Sequence, residues 1–293
     1  MATSPALLAH RPNLRRRLTD KVMRGLTMVA AGIAMVPLIL VIHYLLKKGL
    51  PAWNVDFFTT DPTGSFLGDP GGIKSAIVGS IVIVGIATLL SVPIGIFVAV
   101  WVTQYGRRGW FAQVIRYLID VMTGVPSIVF GLFVFTVLVA GGGGFAGWKG
   151  AVAIGLLMLP VVAKSAEVAL ALVPDLLRES ALALGAPKWR VIFRIVLPTA
   201  AGAVLTGALL AVARGAGETA PLLFTAFGQR ATTTDPSQPM NALPLQIFSD
   251  IGQPQDALVE RAWGAALLLV VGVLALTLLA RFLQSRSKVR SSS

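Results

Sequence analysis

The sequence predicts an all-α integral membrane protein with about six transmembrane helices. Apolar residues make up 55% of the 293-residue chain, charged residues only 13%, and the mean hydropathy is +0.79. That composition is too apolar for a water-soluble domain. The apolar residues fall in runs long enough to cross a bilayer, separated by polar segments. Most of the 25 Lys and Arg residues lie in alternate polar segments. This is the positive-inside pattern, and it absorbs most of the net charge of +12 without invoking nucleic acid.

Residues 1–23 form a basic tail with Arg11, Arg15, Arg16, Arg17 and Lys21. No aromatic residue interleaves with these cations, which speaks against a nucleic-acid patch. The apolar run from about Gly25 to Leu46 exceeds the h-region of a signal peptide and is read as an uncleaved first span. Residues 47–73, rich in Pro and Gly and carrying Asp56, Asp61 and Asp69, are expected outside. Span two runs from about Ser75 to Val102, with a kink expected at Pro93. A short basic turn with Arg107, Arg108 and Arg116 precedes span three, which lies within Tyr117–Ala140. Gly141 to Gly144 make an outer turn. Span four covers Ala151–Val173, and a polar loop, 174–198, returns inside. Span five begins after Pro198 and reaches Arg214 and Glu218. Residues 229–260, with four prolines, read as an ordered outer loop. Span six covers about Trp263–Leu283, and a basic tail, 286–293, closes the chain. The expectation is therefore one transmembrane domain, 24–285, in the cytoplasmic membrane, with both termini cytoplasmic.

The 174–198 loop reads as two short helices with a corner. Leu177, Ala181 and Leu184 fall at i, i+4 and i+7 on the first. Gly185 suits a left-handed stop, and Pro187 the first turn of the next helix. That helix carries Lys188, Arg190 and Arg194 beside Trp189, Ile192 and Phe193, and Pro198 is expected to end it. A basic linker resting on lipid headgroups has the same composition. The spacing goes further. Glu179-x-Ala181, three residues, Gly185, nine residues, Ile195-x-Leu197-Pro198 resembles the cytoplasmic loop of ABC importer permeases, which docks on the ATPase subunit. Ser180 stands where that family often has a second alanine. The resemblance implies that Glu179, Ala181, Gly185, Ile195, Leu197 and Pro198 form the docking element, with Ala181 and Gly185 in a groove of the ATPase that excludes bulk.

Four charges lie at membrane depth. Lys164 and Glu167 are i, i+3, and Arg214 and Glu218 are i, i+4, so each pair shares a helical face. A charge at mid-span costs about 2.5–3.5 kcal/mol, so such side chains face a cavity or each other. Two intrahelical ion pairs satisfy that requirement without any function, and for Lys164 and Glu167 this reading competes closely. Around Arg214 the sequence Arg214-Gly215-Ala216-Gly217-Glu218 loosens the helix, as expected of a broken helix lining a water-filled path.

Here the resemblance narrows. Gly217-Glu218-Thr219-Ala220-Pro221-Leu222-Leu223-Phe224-Thr225-Ala226 is similar to the signature of phosphate ABC importer permeases of the PstA type. Gly124-Val125-Pro126-Ser127-Ile128-Val129-Phe130-Gly131 and Ala242-Leu243-Pro244-Leu245-Gln246-Ile247-Phe248 resemble two further stretches of that family. The resemblance spans roughly residues 20–285. It implies a type I ABC importer permease fold and a substrate path in which Arg214 and Lys164 meet phosphate while Glu218 and Glu167 steady those cations. The implied partners are a PstC-type second permease as heterodimer, an ATPase subunit dimer, an extracytoplasmic phosphate-binding protein and membrane lipid. A permease for molybdate or sulfate shares the docking loop and is the alternative.

No GxxxxGK[ST] pattern occurs in the chain. It is therefore expected to be no enzyme and to bind no cofactor directly, with ATP and magnesium held by the partner ATPase. Cysteine is absent and the two histidines, His10 and His43, lie far apart, so neither thiol catalysis nor a metal site is expected.

Overall fold

A computed structural model describes residues 14–65, 68–106 and 109–289; among these the secondary structure is helical. The chain forms two units, 1–47 and 48–293. The first is built on α1 (Leu14–Gly49), an unbroken helix despite Pro37. It begins within the predicted 1–23 tail, so those basic residues that are described sit on helical turns.

The second unit begins with α2 (Val55–Thr59), capped by Asn54, whose side chain accepts from the Phe57 N–H at 2.7 Å. Next comes α3 (Lys74–Val100), which continues as a π-helical turn over Trp101–Tyr105. The third predicted span is not one straight helix. α4 (Trp110–Gly124) and α5 (Ser127–Val134, extended by a π turn, Phe135–Val139) meet at a bend of 103°. Pro126 is the cause. It lacks an N–H and pushes the preceding residue out of the helical region, and Val125 accordingly sits at φ −72°, ψ 129°. Among the described residues, five helices are thus long and apolar enough to span, and six spans result when the bent pair is counted as one.

The glycine turn follows, with left-handed φ of 100° at Gly142 and 61° at Gly144. Lys149, 4% exposed near the start of α6 (Gly147–Ala171), closes it by donating to the Gly143 and Gly144 carbonyls, both at 2.7 Å. Then come α7 (Asp175–Ala183) and α8 (Lys188–Val191). Pro198 does not end this second loop helix. A π turn over Ile192–Val196 carries it into α9 (Leu197–Ala216), giving one apolar helix from Lys188 to Ala216. Proline removes one backbone donor, and the wider π turn is a local adjustment that accommodates such a loss. α10 (Ala220–Thr225), α11 (Leu243–Ile251) and α12 (Asp256–Val289) complete the chain. The 229–260 segment therefore contains a helix and runs into the start of α12.

Small residues set the helix spacing. A Cβ on Gly95 of α3 would lie 2.8 Å from the Val162 side chain of α6, and one on Gly215 of α9 would lie 2.7 Å from the Met158 sulfur. One on Gly131 would lie 2.6 Å from the Pro221 Cα, so α5 and α10 touch backbone to backbone. Such close approach is how helices associate where apolar surface gains nothing by leaving lipid. The main core gathers Ile83, Ile154, Met158, Val162, Leu222 and Met240 between α3, α6, α10 and the segment before α11.

Candidate functional site

The span carrying Arg214 breaks where the sequence predicts. α9 ends at Ala216, and the Gly217 and Glu218 N–H groups fold back onto the Arg214 and Gly215 carbonyls at 3.1 and 3.2 Å. The chain then re-enters as α10. Arg214 Nε lies 3.8 Å from Glu218 Oε1, an ion pair beyond hydrogen-bond length. The Arg214 side chain is 57% exposed against 18% for Glu218. Among the described residues no acceptor takes a hydrogen bond from the Arg214 guanidinium. A cation so placed on a spanning helix is too costly to face lipid, so this face meets water or another chain.

Lys164 and Glu167 do not pair with one another; the intrahelical reading fails for them. Both reach across to α4. The Lys164 ammonium donates to Asp120 Oδ1 at 2.7 Å, and Arg116 Nε donates to Glu167 Oε1 at 2.6 Å while its Nη2 reaches the Val102 carbonyl at 3.3 Å. Glu167 steadies Arg116, not Lys164. Asp120 went unnoticed in the sequence, and Arg116 was read as part of a turn. Their signal was available: Arg116 and Asp120 are i, i+4 on an amphipathic helix, in the same cation-then-carboxylate order as Lys164 and Glu167, so an antiparallel pairing of the two helices sets opposite charges against each other.

The two charge groups lie at different levels. A Cβ on Gly207 would strike Ser165, next to Lys164, whereas Gly215, next to Arg214, packs on Ile154 and Met158. Eight residues separate the two glycines, about 12 Å along the helix. The four predicted path residues are therefore spread along the membrane normal rather than gathered in one site.

The predicted docking residues divide in two. Glu179, Gly185 and Pro198 are exposed, and Ile195 and Leu197 are half-buried. Ala181 is buried in this chain's own cluster with Val173, Val191 and Ile192, so its small size first serves the packing of α7 against the following helix. The predicted apolar stripe does not turn inward: Leu184 is 88% exposed and Leu177 44%, while Arg178 and Ala181 form the buried face. Gly185 has φ +81° and open space around its missing Cβ. Its N–H donates to the Leu182 carbonyl at 2.9 Å and the Ala186 N–H to Ala181 at 3.2 Å, a Schellman stop. Arg178, not anticipated from sequence, donates Nη2 to the Leu170 carbonyl at 2.7 Å and Nη1 to Asp175. Leu170 lies in the last turn of the helix that bears Lys164 and Glu167, so the loop is tied to that helix by a charged hydrogen bond.

At the opposite ends of the spans lies a buried polar network also absent from the sequence reading. Arg261 donates Nε and Nη2 to Asp250 at 2.8 and 3.0 Å, with side chains 5% and 6% exposed. Gln246 donates to the same carboxylate at 2.7 Å and accepts from Asn241 at 2.6 Å. The network borders an open cavity of about 500 Å³ whose rim includes Phe227, Arg230, Phe248 and Gln253. Nearby, the Ser237 hydroxyl and then its N–H hold the Asp235 carboxyl below the usual range.

The Gly124–Gly131 and Gly217–Ala226 stretches meet at the Gly131–Pro221 contact, and the Met240 N–H donates to the Ala226 carbonyl at 3.1 Å. Residues 91–289 match the model of the binding-protein-dependent transport system inner membrane components. The chain is 39% identical to the phosphate transport system permease protein PstA of Yersinia pestis, over 93% of its own length and 92% of that protein's. It is 38% identical to PstA of Haemophilus influenzae, over 94% and 98%. With PstA 1 of Mycobacterium tuberculosis it shares 37%, over 94% and 91%. Among solved structures, a chain of a bacterial alginate ABC transporter in complex with an alginate-bound periplasmic protein superposes with a TM-score of 0.66 at 16% identity, over 93% and 97% of the two chains. A chain of the inward-facing MetNI methionine ABC transporter gives 0.54 at 17%, over 76% and 94%. These two share the fold.

Proposed function

Because the chain belongs to the binding-protein-dependent transport system inner membrane components, and among them to the PstA-type permeases, we propose that it is the membrane subunit through which an ATP-driven importer moves inorganic phosphate. The observation that carries this reading is similarity along nearly the whole chain to relatives of that name. Permeases for molybdate or sulfate are not favoured by it.

A second permease of the PstC type completes the path, an extracytoplasmic binding protein delivers phosphate, and an ATPase dimer holds ATP and magnesium. Both termini lie in the cytoplasm, which puts the 174–198 loop on the ATPase side. Closure of the ATPase pushes on α7, and the Arg178–Leu170 bond passes the displacement to α6. Arg214 offers planar donors and a fixed charge to the anion; Lys164 is a second cation farther along. Sulfate carries no proton to donate at neutral pH, so Glu218 disfavours it relative to protonated phosphate.

The test is uptake of labelled phosphate, with and without excess sulfate, in energised cells lacking the chain and in cells with it restored. Uptake is expected to return only with the chain and to resist sulfate. No recovery while the ATPase still co-purifies would remove phosphate as the substrate.

Docking has its own test. Gly185→Leu puts a branched side chain at φ +81° and into the space open to a partner, and is expected to detach or uncouple the ATPase. The strain alone is about 1–2 kcal/mol. Gly185→Asn, which tolerates that backbone, should keep more coupling. Pull-down of the ATPase together with phosphate-dependent ATP hydrolysis reads both, and full coupling in the leucine variant would argue against docking at Gly185.

A further inference from the structure

We infer that the chain binds an anionic phospholipid in a groove formed by α3, α4 and the π turn after α8, at the membrane face that carries the α7–α8 loop. The groove holds about 420 Å³ and is lined by Phe97, Val98, Trp101, Tyr105, Ile115 and Phe193, with Val100 at its floor. Both π turns of this region, Trp101–Tyr105 and Ile192–Val196, supply its walls. Such turns recur at functional positions in helices. Phe97 lies eight residues, about 12 Å, from Tyr105 along one helix, so the groove runs from a polar end into the leaflet.

The polar end is marked twice. Tyr105, Trp110 and Trp189 are each at least half exposed there, which is the aromatic belt of a bilayer interface. Over the Tyr105 ring sits the Lys188 ammonium, 4.7 Å from its centroid. Lys188 opens its helix, where a cation opposes the helix dipole, so helix stability does not account for it. Arg190 lies in the same turn and Arg194 in the next, and among the described residues no carboxylate pairs with any of the three. An apolar slot ending under an uncompensated ammonium matches one ligand: an acyl chain in the slot with its phosphodiester at Lys188. A free phosphate matches only half of it. Cationic segments beside a membrane are attracted to anionic headgroups in this way.

The experiment is native mass spectrometry of the full-length chain with its co-purifying subunits, titrated with phosphatidylglycerol or with phosphatidylcholine of the same acyl chains. Phosphatidylglycerol is expected to be retained about fivefold over phosphatidylcholine. Lys188→Ala should bring the two within about twofold of each other, leaving phosphatidylcholine retention unchanged, and Lys188→Arg should keep the preference. Val98→Trp, which fills the slot, should lose both. Lys188 is exposed, so its variants test the headgroup contact independently of folding. Equal retention of the two lipids by the wild type, an unchanged preference in Lys188→Ala, or undiminished retention in Val98→Trp would each overturn the inference. So would displacement of phosphatidylglycerol by inorganic phosphate, or failure to retain either lipid, which would leave the slot to a neighbouring helix.

Discussion

Arg214→Ala is expected to abolish phosphate uptake while the complex assembles at its normal level. The side chain is 57% exposed, donates no hydrogen bond to the described residues, and touches Glu218 only at 3.8 Å. Truncating it therefore takes little from the fold. In the transport role proposed for Arg214, it takes the planar donor pair from the anion. Hydrogen bonds to a charged group contribute about 1.5–3 kcal/mol each, and losing two corresponds to roughly a hundredfold or more in rate at 1.4 kcal/mol per decade. Arg214→Lys keeps the charge without the fork and should fall between. Uptake per assembled complex, with assembly followed by size-exclusion chromatography, decides the matter. Normal uptake in the alanine variant would exclude this arginine from the path.

Asp250→Ala is expected to act in the opposite manner, on folding. Its carboxylate receives Arg261 Nε, Arg261 Nη2 and Gln246 Nε2 in a site where both charged partners are at most 6% exposed. Removing the anion leaves a buried guanidinium without compensation, which costs about 3–5 kcal/mol. The same guanidinium also donates to the Pro70 carbonyl, so the loop before α3 loosens with it. The double variant Asp250→Leu, Arg261→Met should recover most of the loss, because a well-packed apolar pair often replaces a buried ion pair without penalty. Thermal unfolding of the wild type, the single variant and the double variant measures the loss and its recovery. A single variant as stable as wild type would mean that water satisfies Arg261.

The spans were legible in the sequence because each is an apolar run bounded by charge, a one-dimensional signal that the bilayer enforces. Two local breaks were legible as well: Gly217 interrupts span five, and Gly185 stops α7 in the left-handed conformation. The bend at Val125–Pro126 was not recognised, although Pro126 stood in the sequence, since a proline inside a spanning run ordinarily leaves the helix continuous, as at Pro93 and Pro160. Pro198 misled in the reverse direction. The partners of Lys164 and Glu167 lie 44 and 51 residues away, and helical spacing finds only neighbours on the same helix. The Asp250–Arg261 network was hidden in a segment whose composition reads only as polar loop, because it arises when α11 packs on α12.

The π turn at Ile192–Val196 places one residue more in that stretch than an α-helix would need. A residue advances an α-helix by about 100°, so the extra one rotates Trp189 and Arg190 by that angle about the axis of α9. The direction in which the loop faces its partner is therefore set by a count of residues. An insertion or deletion there would re-aim the whole loop without altering the identity of any residue in α7 or α8, a change that substitution scanning would never reveal.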